Sequence, residues 1–322
     1  MVLTVTLNPL LEHRLYFKDV KNKTVNRSYR ESFSAGGKGI NVSRQLNKID
    51  IKNQAATFIG GNNGKLFRSI LASEGIDLIP VSSKYDLRNA SLIINETENS
   101  ITTFFSPDKE IPEDESADLM NKLDKMIQNC STVVFSGSSP SQFTDIIFSY
   151  GIELANKYDK ISILDTYGQP LLKSIDASPT ILHNTKLEIE SSLNISLSDE
   201  NRIREYLNTL YKKGIKLAFI TDGGNPVYAS KFDFHYKCKP PEVSVIDATG
   251  SGDSFTAGLA YGMEHSLVFE DFFKLAVALA SANASKWETS AVTLEDADKL
   301  IPLITIEPIG KKMKILDDSP TI

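Results

Sequence analysis

The 322-residue chain carries 35 Lys and Arg against 41 Asp and Glu, and the resulting net charge of -6 gives no electrostatic reason to expect nucleic acid as a partner. Its 41% hydrophobic and 24% charged residues are those of a globular protein long enough to bury a substantial core. The only two cysteines, Cys130 and Cys238, have no metal-type spacing, and each reads as a buried thiol.

The first residues run directly into Val2-Leu3-Thr4-Val5-Thr6-Leu7, with no basic region or cleavage site, and no apolar run is long enough to span a bilayer. The expected location is the cytoplasm, with no membrane partner. Val2 to Leu7 reads as a buried first strand ended by Asn8-Pro9. Arg14 to Phe17 and Thr24 to Phe33 mix polar and aromatic residues without a helical period, which predicts exposed strands. From Gly39 the pattern becomes helical, with Ile40, Leu46 and Ile49 on one side. Ala55 to Ile59 is a short apolar run, and Leu66, Phe67, Ile70 and Leu71 mark an amphipathic helix that Gly75 stops.

Ala90 to Asn95 and Ser100 to Phe105 predict two strands joined by the polar turn Glu96 to Asn99. Beyond Pro112, the apolar runs Val133 to Phe135, Ile161 to Leu164, Ile181-Leu182 and Leu217 to Ile220 are of the kind parallel strands show. Helical stretches around Met120 to Ile127, Ile146 to Ala155 and Ile203 to Tyr211 separate most of them. That alternation predicts a doubly wound α/β sheet whose ligands bind beyond the strand carboxyl ends. The residues placed there, Ser136-Gly137, Asp165-Thr166 and Thr221-Asp222-Gly223, are small or polar. Two small-residue helices follow Gly252 and Phe272, and the polar tail from Lys311 to Ile322 reads as loose.

Two glycine loops carry the chemistry. Asp247-Ala248-Thr249-Gly250-Ser251-Gly252-Asp253-Ser254 begins where the apolar Val243 to Ile246 stops. Gly250 and Gly252 clear side chains from the backbone, so amides including that of Ser251 can face an anion at a helix N-terminus. Asp253 sits at the positive end of that helix, where the dipole favours a carboxylate. An anion hole beside an ionised base is what phosphoryl transfer to an alcohol requires. Alone, the stretch is equally a tight turn followed by an N-capping Asp. The second loop, Ser34-Ala35-Gly36-Gly37-Lys38-Gly39-Ile40-Asn41-Val42, lies far upstream. Its Lys38 is placed for backbone and ammonium both to meet a sugar or its phosphate, and Asn41 can donate to and accept from a hydroxyl. A Rossmann dinucleotide loop does not fit, because position 42 is Val rather than a third glycine and no core strand precedes it.

Together these loops resemble the paired signatures of the PfkB (ribokinase-like) carbohydrate kinases. Thr6-Leu7-Asn8-Pro9, Val25-Asn26-Arg27 and Ser136-Gly137-Ser138 narrow the likeness to the branch holding 1-phosphofructokinase and tagatose-6-phosphate kinase. The resemblance implies a single ribokinase-like α/β domain over residues 1–322, a mainly parallel sheet flanked by helices. A small β-lid, from about 12–33 and 90–106, would be inserted in it. It also implies ATP with Mg2+, and Asp253 as the base that deprotonates the acceptor beside a Gly250-Ser251-Gly252 anion hole. Arg27 and Arg88 match arginines that grip a phosphate already on the sugar, and Ser138 adds a hydroxyl to the same anion. Gly36, Gly37, Lys38 and Asn41 would hold the sugar.

Three departures stand out. Glu12 occupies the place of an Asp that binds sugar hydroxyls, keeping the carboxylate with one more methylene. The family's Lys-Pro-Asn-x-x-Glu becomes Leu182-His183-Asn184-Thr185-Lys186-Leu187-Glu188, which leaves Asn184 in place and Glu188 one residue late. His183 reads as a packing residue. Thr221-Asp222-Gly223-Gly224 replaces a Ser-Leu-Gly, with Thr221 and Gly223 kept for the nucleotide. Asn283 falls at the family's adenine pocket, although helix packing explains it equally well. The expected acceptor is a ketohexose phosphate, fructose 1-phosphate first, then tagatose 6-phosphate and fructose 6-phosphate. The exposed strands, with Tyr16, Phe17, Phe104 and Phe105, would pair two copies as a homodimer. The rival from another class is a sugar-phosphate sensor without turnover.

Overall fold

Val2–Thr6 forms β1, a strand whose five residues are all buried, as a run with no polar alternation must be when both faces of a sheet are covered. The computed structural model describes residues 1–310; the tail Lys311 to Ile322 lies outside the described residues. After β1 the chain leaves the main sheet for β2 (Leu10–Phe17) and β3 (Arg30–Gly36), then returns through α1 (Lys38–Lys48). Ile40 and Leu46 of α1 are fully buried, and Ile49 follows them into the core at its end. β4 (Asn53–Ile59), α2 (Gly61–Ser73) and β5 (Asp77–Ser82) follow, with Gly75 just beyond α2 at φ 71°, the left-handed position that ends many helices. Strands β6 (Asn89–Asn95) and β7 (Ser100–Phe105) form the expected hairpin.

From there the alternation is regular. α3 (Glu113–Gln128), β8 (Thr132–Ser136), α4 (Ile147–Lys157), β9 (Ile161–Asp165) and a short α5 (Gln169–Ser174) precede β10 (Ile181–Thr185). α6 (Lys186–Leu193), α7 (Glu200–Lys212) and β11 (Leu217–Thr221) follow, and then β12 (Val227–Lys231) and β13 (Phe234–Lys239). The C-terminal part holds α8 (Ser251–Glu264), α9 (Phe269–Ala284), α10 (Leu294–Asp298) and β14 (Thr305–Ile309). The apolar Val243 to Ile246 stays outside the sheet. Val245 is exposed, and the Ile246 amide is tied to the Ala284 carbonyl at the end of α9.

The main sheet has ten strands in the order β14-β13-β12-β11-β10-β9-β8-β1-β4-β5. All neighbours from β11 to β5 are parallel, and β12, β13 and β14 extend the β11 edge antiparallel. The antiparallel extension is the part of this α/β fold not visible beforehand. One face of the sheet packs α3, α4 and α7 through Leu119, Phe148 and Leu207. The other packs α1, α8 and α9 through Leu46, Phe255 and Phe273. The strand order runs outward in both directions from β1, so the crevice beyond the carboxyl ends of β1 and β8 is where such a sheet binds its ligand.

A second sheet, in the order β3-β2-β6-β7, shares a cavity with α1. Its period-2 alternation puts Glu12, Arg14 and Tyr16 on the face toward the body and His13 and Leu15 on the other. Phe33 stacks on His13 on the outer face, centroids 4.4 Å apart, and Phe104 pairs with Ser91 on the same side. Phe33 and Phe104 are exposed. Phe17 is buried instead of exposed, and Tyr16 lies beneath the Arg30 guanidinium, because both belong to strand β2 inside the sheet rather than to its edge. Residues 24–29 form no strand. Cys130 and Cys238 are both buried and free.

Candidate active site

The crevice is built from the starts of α1, α6 and α8 and the ends of β1, β8, β9 and β10. At α8 the N-cap is Gly250, at φ 79° and ψ 2°, a conformation that side chains resist. A Cβ there would also fall 2.4 Å from the Thr289 methyl group. No side chain caps this helix. The Ser251 amide turns back to the Ala248 carbonyl at 3.1 Å, so it is not free for an anion as expected. The Gly252 and Asp253 amides, in the first turn, have no acceptor within the helix, and they carry the positive end of its dipole.

Asp253 is 5% exposed, and its Oδ2 accepts from Asn41 Nδ2 at 2.8 Å. Burial pushes its carboxyl up to about 7, Lys38 pulls it back, and Asp165 pushes it further up. The helix dipole alone predicts an ionised carboxylate, but desolvation outweighs it here. Such a value suits a proton acceptor working near neutral pH.

Lys38 opens α1 and reaches Asp165 Oδ1 at 2.8 Å and Glu188 Oε1 at 2.6 Å. Burial favours the neutral amine, but Asp165, Glu188 and Asp253 more than offset it and hold the ammonium well above the usual lysine range. Burial opposes ionisation of Asp165 as well. The Lys38 charge and the His183 hydrogen bond outweigh that and hold it below the usual carboxylate range. His183 is buried behind the site, stacked on Phe255, with Thr256 Oγ1 3.0 Å from Nδ1 and Thr221 Oγ1 3.2 Å from Nε2. It packs and bonds there, as expected.

Glu188 lies in the crevice. β10 extends one residue past Asn184, so Thr185 is the N-cap of α6 and Glu188 its N3 residue, in a reciprocal capping box. Thr185-x-x-Glu188 thus has the two-residue interval, with Thr185 rather than Asn184 at the helix start. Glu188 Oε2 accepts from the Thr185 amide while Oε1 faces Lys38. Asn184, expected at the nucleotide, is instead sealed inside the sheet with Nδ2 on the Thr166 carbonyl.

On the other flank, Arg88 donates from Nη1 to Asp108 at 2.8 Å and from Nη2 to the Asn8 carbonyl at 3.0 Å. Asn8 Nδ2 reaches both Asp108 and Ser138 Oγ, so Arg88 and Ser138 share one corner. Tyr167 lies beside Lys38, whose Nζ is 5.4 Å from its ring centroid. Gly36 and Gly37 lead into α1 from β3. Arg27 is not brought to this corner: it lies exposed on the connection between β2 and β3. Asn283 is buried, with Nδ2 on the Thr249 carbonyl and Ser251 Oγ and with Oδ1 taking the Ser290 amide, so it braces the loop that leads into α8. Gly223 lies in the turn after β11 with open space beside it, and Thr221 is tied to His183.

Between the second sheet and α1 lies a cavity of about 700 Å³, lined by Glu12, Arg14, Ser34, Asn41, Trp287 and Thr289. It joins Glu12 of the second sheet to Asn41, the partner of Asp253.

The pfkB family carbohydrate kinase model matches residues 10–296. The chain belongs to the pfkB family of carbohydrate kinases. A 1-phosphofructokinase from Borreliella burgdorferi is 31% identical over 313 residues, 96% of this chain and 99% of that one. A tagatose-6-phosphate kinase from Staphylococcus epidermidis is 26% identical over 309 residues, 95% and 99% of the two chains. Phosphofructokinase-2 from Escherichia coli has the same fold, with a TM-score of 0.87 at 22% identity over 94% of this chain and 98% of that one. This kinase therefore transfers a phosphoryl group to a sugar, and the crevice above is where its chain brings together a buried carboxylate, a cation and free amides. Among the described residues, no helix is long and apolar enough to cross a membrane.

Proposed function

We propose that this kinase moves the γ-phosphoryl group of ATP to a hydroxyl of a ketohexose phosphate, with fructose 1-phosphate as the preferred acceptor and fructose 1,6-bisphosphate as product. The observation that carries the reading is Asp253, a buried carboxylate near neutral pKa in the same helical turn as the free Gly252 and Asp253 amides. The acceptor hydroxyl gives its proton to Asp253 Oδ1 or Oδ2 as its oxygen attacks the γ-phosphorus, and ADP leaves. The two amides stabilise charge on the transferring group. Lys38 supplies a fixed positive charge at the same place.

Arg88, Ser138 and Asn8 form a donor-lined corner suited to the phosphate the sugar already bears, with Arg88 offering a planar fork. Arg88 is paired with Asp108 when no sugar is bound, so a phosphate on the sugar would take over that carboxylate's place on the guanidinium, where its greater charge and extra oxygens favour it. The 31% identical relative carries the name 1-phosphofructokinase and the 26% identical one tagatose-6-phosphate kinase, which supports taking fructose 1-phosphate first, then tagatose 6-phosphate and fructose 6-phosphate. The open edge by Gly223, with Thr221 behind it, suits the nucleotide. Glu188 and Asp165, both bonded to Lys38, would be the carboxylates beside a magnesium ion brought in with ATP, and such an ion would neutralise phosphate charge during transfer.

The second sheet acts as a lid over the sugar, and its outer face, with Phe33 and Phe104 exposed, pairs two copies of the chain in the cytoplasm. Measurement of ADP release against a panel of hexose phosphates and free hexoses tests the reading. The account expects fructose 1-phosphate to give the highest kcat/KM. Release of no ADP with any acceptor would favour a sugar-phosphate sensor, and a preference for free fructose or ribose would refute the phosphate corner.

A further inference from the structure

Glu12 is one methylene longer than the Asp that the resemblance leads one to expect, and three features deal with that extra length. Gly36, directly across from Leu10 at the start of the sheet, leaves room: a Cβ there would fall 2.7 Å from Glu12 Oε1 and 3.0 Å from its Cγ. Arg14, two residues along the same face of β2, donates from Nε and Nη2 to Glu12 Oε2 at 3.2 and 3.0 Å. Ser34 Oγ donates to the same oxygen at 2.8 Å. Oε2 is therefore saturated. Among the described residues, no protein donor ends on Oε1, which lies over Gly36 on a residue that lines the same cavity as Asn41.

Arg14 does more than neutralise its neighbour. Its Nη2 also reaches Thr289 Oγ1 at 2.9 Å, and its Nη1 reaches the Trp287 carbonyl at 3.3 Å. Thr289 is the residue whose methyl group packs against Gly250 at the anion loop. Both members of the Glu12–Arg14 pair are nine-tenths buried, so the carboxylate without its guanidinium would be an uncompensated charge on the wall of the cavity.

Resting on the kinase reading above, we propose that Arg14 is a specificity-determining positioning residue. It clamps Oε2 of Glu12 and leaves Oε1 as the single acceptor for a sugar hydroxyl. It also docks that acceptor on the loop behind the anion hole, at a fixed distance from Asp253. An acceptor held in one orientation discriminates between sugars that differ at one stereocentre better than a carboxylate free to rotate.

The test is steady-state ADP release by the full chain, with fructose 1-phosphate and its C4 epimer as acceptors and ATP varied separately. Arg14→Met is expected to raise the KM for fructose 1-phosphate on the order of 10- to 100-fold, the scale of a lost charge-assisted bond, with kcat and the KM for ATP within about twofold. It should also narrow the kcat/KM ratio between the epimers. Combined with Glu12→Gln, it should cost no more than Glu12→Gln alone, since the clamp has nothing left to hold. Arg14→Lys keeps the charge without the fork and should recover part of the loss; it carries the test if Arg14→Met fails to fold. An unchanged sugar KM in a folded Arg14 variant, or additive losses in the double variant, overturns the proposal. An inactive parent overturns the kinase reading and this inference with it. An active parent with indifferent Arg14 variants overturns this inference alone.

Discussion

Asn41 Nδ2 lies 2.8 Å from Asp253 Oδ2, so the first helix of the chain holds a buried carboxylate at the start of the eighth. Two glycine loops more than two hundred residues apart in sequence meet through that one hydrogen bond. It tunes as well as positions, because a donor to the carboxylate favours its ionised form.

A pH dependence follows. With Asp253 near 7, the proton-accepting form is populated above that value, so kcat/KM should rise as pH is raised through about 7 and level off beyond it. Asn41→Leu removes the donor and should move the inflection to higher pH. Lys38→Met removes a larger favourable influence and should move it further. A profile flat from pH 6 to 8, on the order of the window a base of this pKa must titrate in, would contradict the assignment.

Arg88→Ala should raise the KM for the phosphorylated sugar while leaving that for ATP nearly unchanged, at a cost of roughly 1.5–3 kcal/mol for the lost charged contacts. Arg27→Ala, on the exposed connection, should change the sugar KM of a single protomer far less. Equal effects of the two substitutions on sugar KM would count against the corner formed by Arg88, Ser138 and Asn8.

Phe33→Glu and Phe104→Glu place a charge on the two edge strands of the sheet's outer face, where both rings are exposed and only the Phe33 stack on His13 is given up. Each should convert the proposed homodimer to a monomer by light scattering with little loss of thermal stability. A parent that scatters as a monomer at micromolar concentration, with and without substrate, contradicts the lid-paired dimer.

Much of this architecture was legible because its signals are local. The buried runs at β1, β8, β9, β10 and β11 lack alternation, and the two glycine loops mark helix starts where side chains must be absent. Other features depend on pairing that no local stretch reveals. Arg14 in an alternating strand reads as solvated until the register with β6 shows that Glu12, Arg14 and Tyr16 face inward. Glu188 reads as displaced when counted from Asn184, and only the true end of β10 at Thr185 restores the interval. The charge state of Asp253 turns on a contest between dipole and burial, and burial is a property of the folded chain.

The most direct test of the central claim is the turnover of Asp253→Asn, measured beside its affinity for ATP and for fructose 1-phosphate by calorimetry. The amide fills the same space but cannot accept the hydroxyl proton. The account predicts dissociation constants close to those of the parent, with kcat lower by on the order of 10²–10⁴. Retention of more than about a tenth of the parent rate, well outside that range, would show that another group takes the proton.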